Sequence, residues 1–176
     1  METIEIRRVT ADDVQTLSEI GRRTFFETFS GGNTEDNMTD YLEERFSAAR
    51  LSTEIGDENS EFYFAKLDEE VIGYLKLNKG LAQTEMKNAN ALEIERIYVL
   101  KDFHGKKVGQ LLYETAIRSA VQSGVDYVWL GVWERNLRAI EFYKKNGFVA
   151  FDKHIFKLGD DEQTDIMMKL DMSGNP

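Results

Sequence analysis

The 176-residue chain predicts a mixed α/β layer fold. Two observations carry that expectation. Stretches with strand-like alternation and stretches with helical periodicity succeed one another, and glycine-bearing or cap-bearing breaks separate them. The resulting order is strand, helices, several strands, helix, strand, helix and two strands, about seven strands in all.

Met1 to Arg8 alternates apolar and polar residues as a strand does, and it lacks the basic-then-apolar build of a signal peptide. Asp12 to Phe29 sets Val14, Leu17, Ile20, Phe25 and Phe29 broadly on one inward face of a helix. Ser30-Gly31-Gly32-Asn33 breaks it, and Thr34-Glu35-Asp36-Asn37 caps a second helix running to about Phe46. Ala48 to Ile55 forms a short third. Glu61 to Lys66 and Val71 to Leu77 alternate about Leu67-Asp68-Glu69-Glu70, as the arms of a hairpin do. Another strand spans about Ala91 to Leu100. A helix from Val108 to about Ser123 stops at Gly124, and Tyr127 to Val132 makes the next strand. After a helix opened by Asn136, strands near Phe148 to Lys157 and Asp165 to Leu170 complete the order. Residues 1–171 are expected to form one domain, with 172–176 a frayed tail.

Composition narrows the function. Apolar residues make up 41% of the chain and aromatics 11%, values typical of a folded protein, and no apolar run approaches the ~20 residues of a membrane helix. A cytoplasmic location is the default expectation. The absence of cysteine removes disulfides, thiolate metal sites and a cysteine acyl-enzyme. Only two histidines are present, 50 residues apart, so no metal centre is assigned. A net charge of −10 argues against nucleic-acid partners and suits a small cationic one. A homodimer is a further expectation, read from no particular residue.

Against that acidic background, Lys101, His104, Lys106 and Lys107 fall within seven residues, between a strand end and a helix start. Unpaired backbone N–H groups and aligned peptide dipoles make such a turn an anion site, so His104, Gly105, Lys106, Lys107, Val108 and Gly109 are expected around a phosphate. The other reading is a solvated charge run. Further on, Asn136-Leu137-Arg138-Ala139-Ile140-Glu141-Phe142-Tyr143-Lys144-Lys145-Asn146-Gly147-Phe148 reads as a capped helix with a glycine stop. Asn136, Ile140 and Tyr143 share one face, so the cap amide and the phenol stand about 10 Å apart at ~1.5 Å rise per residue.

These two segments resemble the GCN5-related N-acetyltransferase (GNAT) family, whose acetyl-CoA loop follows a Gln/Arg-x-x-Gly-x-Gly/Ala pattern and whose later helix reads Asn-x-x-Ala-x-x-Phe/Leu-Tyr-x-x-x-Gly-Phe. The resemblance covers nearly the whole chain. The loop departs from the pattern: His104 replaces Gln or Arg, Lys107 replaces a glycine, and Lys101 replaces a frequent proline. Within the family, Leu92 to Val99, Trp129 to Glu134 and Gly159 to Asp165 look most like bacterial PaiA-type spermidine/spermine acetyltransferases. The resemblance implies a central, mostly antiparallel twisted sheet flanked by helices, with acetyl-CoA as acyl donor. It implies pantetheine contacts along Ile97, Tyr98 and Val99, and further cofactor contacts at Asn136, Tyr143 and Lys145.

Acetyl transfer to an amine needs a route for the ammonium proton and an acid for the departing thiolate. Tyr143 is the expected acid, since a phenol with pKa near 10 stays protonated at neutral pH. Its bland alternative is a core-edge tyrosine packed on the sheet. Glu93 and Glu95, on one strand face, are the expected bases, with Glu93 favoured by the resemblance. In the structural alternative both pair with Arg96, Arg135 or a neighbouring strand. Glu27, Glu35, Asp36 and Glu134, along with Asp40 and Glu85, are candidates for the acceptor's second ammonium group. Phe25, Phe26, Phe29, Tyr41 and Trp133 are candidates for walling its methylene chain. The leading function is acetyl transfer to spermidine or spermine by direct attack. Acetylation of a protein N-terminus or lysine is the enzymatic alternative, and a non-catalytic acyl-CoA-binding regulator the alternative of another class.

Overall fold

The structure, a computed structural model, describes residues 3–29, 34–85 and 87–172. The break read at Ser30 to Asn33 lies outside the described residues, as does the tail beyond Met172. The strands are β1 (Ile4–Arg8), β2 (Ser60–Leu67), β3 (Glu70–Lys79), β4 (Ala91–Val99), β5 (Tyr127–Trp133), β6 (Val149–Leu158) and β7 (Asp161–Asp171). The helices are α1 (Val14–Phe29), α2 (Glu35–Arg45), α3 (Ala48–Ile55), α4 (Val108–Ser123) and α5 (Leu137–Lys145). None is long and apolar enough to cross a membrane.

Local chemistry accounts for the element ends. Thr34 caps α2 by accepting from the Asn37 N–H, and Ser47 caps α3 by accepting from the Arg50 N–H. Gly124 ends α4 at φ 68°, in the left-handed region where glycine carries no Cβ penalty. The inward face expected for α1 is buried at Leu17, Ile20, Phe25 and Phe29, with Val14 half-buried. Gly21 lets α1 press onto Phe46, because a Cβ there would stand 2.5 Å from the Phe46 ring. One strand differs from its sequence reading. β7 begins at Asp161 rather than Asp165, because the Gly159-Asp160 turn, with Gly159 at φ 61°, starts the ladder immediately between Leu158 and Asp161.

The strands form one sheet in the order β1-β2-β3-β4-β5-β7-β6. Every neighbouring pair is antiparallel except β4 with β5, which is parallel and joined only at Ala91↔Tyr127, Leu92↔Val128 and Glu93↔Trp129. The joint is anchored by Trp129, which is fully buried and whose Nε1–H donates to Gln83 Oε1 at 2.7 Å. Past it the two strands part.

Candidate active site

Beyond Glu93 and Trp129, β4 continues through Ile94 to Val99 against β3 alone, and β5 continues against β7 alone. The wedge between them opens into a cavity of about 380 Å³ reaching from β4 and β5 to α1, α2, α5, β6 and β7. A register shift places Glu95 as an extra residue in β4, opposite the step from Lys76 to Leu77. That bulge bends β4 away from β5 and turns Glu93 and Glu95 toward a common partner, Asn78, whose Nδ2 donates to both at 3.0 and 2.8 Å.

Between the Val99 end of β4 and the start of α4 stands the basic turn. Gly105 has φ 83° and Lys107 φ 65°, and among the described residues no side chain caps the helix. The first helical bond in that turn runs from Leu111 N–H to Lys107 O, so the amides of Val108, Gly109 and Gln110 have no partner within the helix. His104 Nε2 lies 2.9 Å from the Val99 carbonyl oxygen and pins the turn to the strand end. Three free amides, a positive helix end and two left-handed residues fit a diphosphate group. Lys107 adopts a backbone conformation that glycine takes more cheaply, by ~1 kcal/mol. Lys107→Gly is therefore expected to raise unfolding stability by up to about 1 kcal/mol, measurable in urea, while leaving those amides in place.

Asn136 caps α5, which carries Tyr143. Asn136 Oδ1 accepts from the Ala139 N–H at 3.3 Å, and both residues line the wedge. The Tyr143 ring is clamped by Phe142 and Phe148, with centroids 5.4 and 5.5 Å away. Burial pushes its hydroxyl above the ordinary tyrosine range, so it keeps its proton throughout neutral pH. Ile97 and Tyr98 also line the wedge. Lys145 is exposed and lies outside the lining.

The two glutamates of β4 sit in different chemistry. Glu95 receives Lys76 Nζ at 2.8 Å and Arg96 Nη2 at 3.2 Å, and Glu54 of α3 closes the network by binding Lys76 at 2.7 Å. Desolvation opposes its charge, but Arg96 and Lys76 outweigh it and hold its carboxyl down at about 2. Glu93 is 3% exposed and accepts from both the N–H and the hydroxyl of Thr84, as well as from Asn78. Burial raises its proton affinity, and those hydrogen bonds pull the other way.

The far end of the wedge is aromatic. Phe25 stacks on Phe29 and Tyr41 at 4.4 and 4.6 Å, and Trp133 stands 4.9 Å from Phe29. Phe26 points away and is 52% exposed. Of the acids proposed from charge density, Glu27, Glu35, Asp36 and Glu134 are all exposed and outside the lining. Glu27 instead accepts the Lys101 N–H at 2.9 Å. The carboxylates that reach the wedge are Glu85, Glu93, Glu95 and Asp165, accompanied by His154. Asp165 and His154 escaped the sequence reading, because they meet only through the β6/β7 register.

A seven-stranded sheet parted between parallel mid-sheet strands, with an uncapped helix start after one of them and a buried phenol lining the wedge, is the fold of an N-acetyltransferase. The chain belongs to the acetyltransferase (GNAT) family, whose sequence model matches residues 18–148. It is 41% identical over 169 residues to an uncharacterized N-acetyltransferase in the pepI 3' region of Lactobacillus delbrueckii subsp. lactis, covering 96% of this chain and 98% of that one. A spermidine N(1)-acetyltransferase of Thermoplasma acidophilum is 29% identical over 154 residues, covering 85% and 91%. The crystal structure of the PaiA N-acetyltransferase from the same organism, in complex with coenzyme A, superposes with a TM-score of 0.79. It is 27% identical, covering 96% of this chain and 99% of that one. The family and the seven-stranded fold expected from the two sequence motifs are thereby borne out.

Proposed function

We propose that this chain moves the acetyl group of acetyl-CoA onto a primary amine of a small cationic acceptor, spermidine or spermine, by direct attack. The observation that supports this reading is the wedge itself, lined together by Tyr143, Asn136, Tyr98 and the carboxylates Glu85 and Asp165, with the uncapped start of α4 following the strand that walls it. Acetyl-CoA supplies the activated acyl thioester. The amides of Val108, Gly109 and Gln110, with Gly105, Lys106 and Lys107 around them, take the diphosphate. His104 holds their turn through Val99. The open edge of Ile97, Tyr98 and Val99 pairs with the pantetheine amides as an added strand would. Asn136 borders the same arm, and Lys145 adds positive charge outside it.

Tyr143 gives its proton to the departing sulfur. Glu95 keeps Lys76 and Arg96 neutralised beneath the wedge, and Glu93 ties the Thr84 segment to its wall. The acceptor's methylene chain lies along Phe29, Tyr41 and Trp133, with its ammonium groups toward Glu85 and Asp165. Glu27, Glu35, Asp36 and Glu134 contribute a negative field that draws the cation in without touching it. The name of the Thermoplasma relative supports the polyamine assignment.

The test is thiol release from acetyl-CoA across polyamines, aminoglycosides, amino acids and peptides. Spermidine is expected to lead the panel, with kcat/KM falling as salt rises from 50 to 500 mM, roughly, since exposed charges are screened within ~10 Å at 0.1 M. An uncharged amine should show no such fall. Equal salt response for both, or a peptide outrunning every polyamine, would assign the acceptor elsewhere.

A further inference from the structure

Asp165 of β7 is paired directly with Trp133 of β5 on one side and His154 of β6 on the other. Directly opposed residues in an antiparallel ladder project to the same face with Cβ atoms ~4.5–5.5 Å apart, so Asp165 and His154 point together toward the wedge that both line. Gly131 leaves the approach open: a Cβ on it would stand 3.4 Å from Asp165 Oδ2. Among the described residues no hydrogen-bond donor reaches this carboxylate. His154 Nδ1 sits 2.7 Å from Glu85 Oε1, and these side chains are 45% and 33% exposed, so the pair spans from the wedge to solvent.

We propose, resting on the acetyl-transfer reading, that Asp165 takes the proton of the attacking ammonium group and that His154, backed by Glu85, passes it to solvent. The N–H bond breaks and an O–H bond forms on Asp165, freeing the nitrogen lone pair. That pair forms the C–N bond to the acetyl carbon, and the C–S bond breaks. Sulfur takes the Tyr143 proton, which the second proton lost by nitrogen replaces. The products are an amide, a free thiol and one proton released through His154.

The other carboxylates of the wedge are engaged. Glu95 is ion-paired to Lys76 and Arg96, and both oxygens of Glu93 accept hydrogen bonds. Burial lifts Asp165 to about 6, with His154 across the ladder lowering it and Glu85 raising it. Tyr98, Glu93 and Arg96 of β4 line the same wedge, and Trp133 faces Asp165 from β5. A proton acceptor works best when its pKa lies near the working pH. Because the charged form is the active one, kcat/KM should fall as pH drops through about 6.

Two measurements test this. In Asp165→Asn, kcat/KM for spermidine is expected to fall about 100-fold or more, with the KM for acetyl-CoA held and the acid limb gone. His154→Gln should slow turnover less and retain that limb. In the unliganded wild-type chain, the Asp165 side-chain carboxyl carbon followed by NMR should titrate near pH 6 and shift when spermidine is added. An Asp165→Asn variant with near-normal turnover and an intact limb would overturn the proposal. So would an Asp165 signal that titrates near the ordinary aspartate value and ignores spermidine. A wild-type chain that acetylates no amine would overturn the transfer reading itself, and the role of Asp165 with it.

Discussion

Tyr143→Phe is expected to lower kcat by about 10²–10⁴-fold at saturating substrate while the KM for acetyl-CoA stays close to that of the wild type. The substitution removes one oxygen and little else. Among the described residues the hydroxyl makes no hydrogen bond, and the ring contacts with Phe142 and Phe148 are retained. Folding should therefore be unaffected, and a melting curve on the same sample checks that. What is lost is a proton donor at the sulfur, an interaction made only as the thiolate leaves, so the loss falls on turnover and not on binding. Because burial raises the hydroxyl's proton affinity, no alkaline limb due to this group should appear at or below its ordinary value of 10. Full turnover by the variant would remove Tyr143 from the reaction.

Glu95→Gln is expected to cost about 3–5 kcal/mol of unfolding free energy at pH 7, read from urea titration. Glutamine keeps the volume and the polar contact to Asn78 but deletes the charge on which Lys76 and Arg96 depend. Arg96 has little in reserve: among the described residues its Nη1 is buried without a hydrogen bond, and it lies 3.9 Å from Glu54 Oε1. Glu54 alone cannot neutralise both cations. The pH dependence follows from the lowered carboxyl. A group held at about 2, against a reference of 4.5, adds stability that is fully present above 4.5 and lost as pH falls through about 2. The gap between wild type and variant should therefore be widest at neutral pH and shrink across that acid window. A neutral-pH gap below about 1 kcal/mol would mean that the network is not a net support.

Local signals made much of the fold legible. α3 runs from Ala48 to Ile55 as read, because Ser47 caps one end and Gly56 receives the other. α4 ends at Gly124 for the same kind of reason, and the Asn136 to Tyr143 spacing placed cap and phenol on one wall of the wedge. What escaped was set by pairing between distant segments. The Glu95 bulge exists only relative to Lys76 and Leu77 on another strand, and nothing around Glu95 announces an extra residue. Asp165 meets His154 only after the Gly159 turn fixes the register of β6 on β7. Charge density favoured the helix acids Glu27, Glu35 and Asp36, yet dense charge marks solvated surface, and the wedge draws Glu93 and Glu95 from β4, Asp165 from β7 and Glu85 from a loop. The left-handed Lys107 was visible as a departure from a family pattern, though its angle was not.

The parallel joint between β4 and β5 spans only three residue pairs. Sheets normally expose raw edges at their perimeter, where another chain can dock and aggregate, but this molecule carries one indoors. From Ile94 to Val99, β4 turns that edge toward the wedge, which Ile97 and Tyr98 line. Each residue pair added to the seam would take a step of that indoor edge, and a step of the wedge both strands line, out of reach.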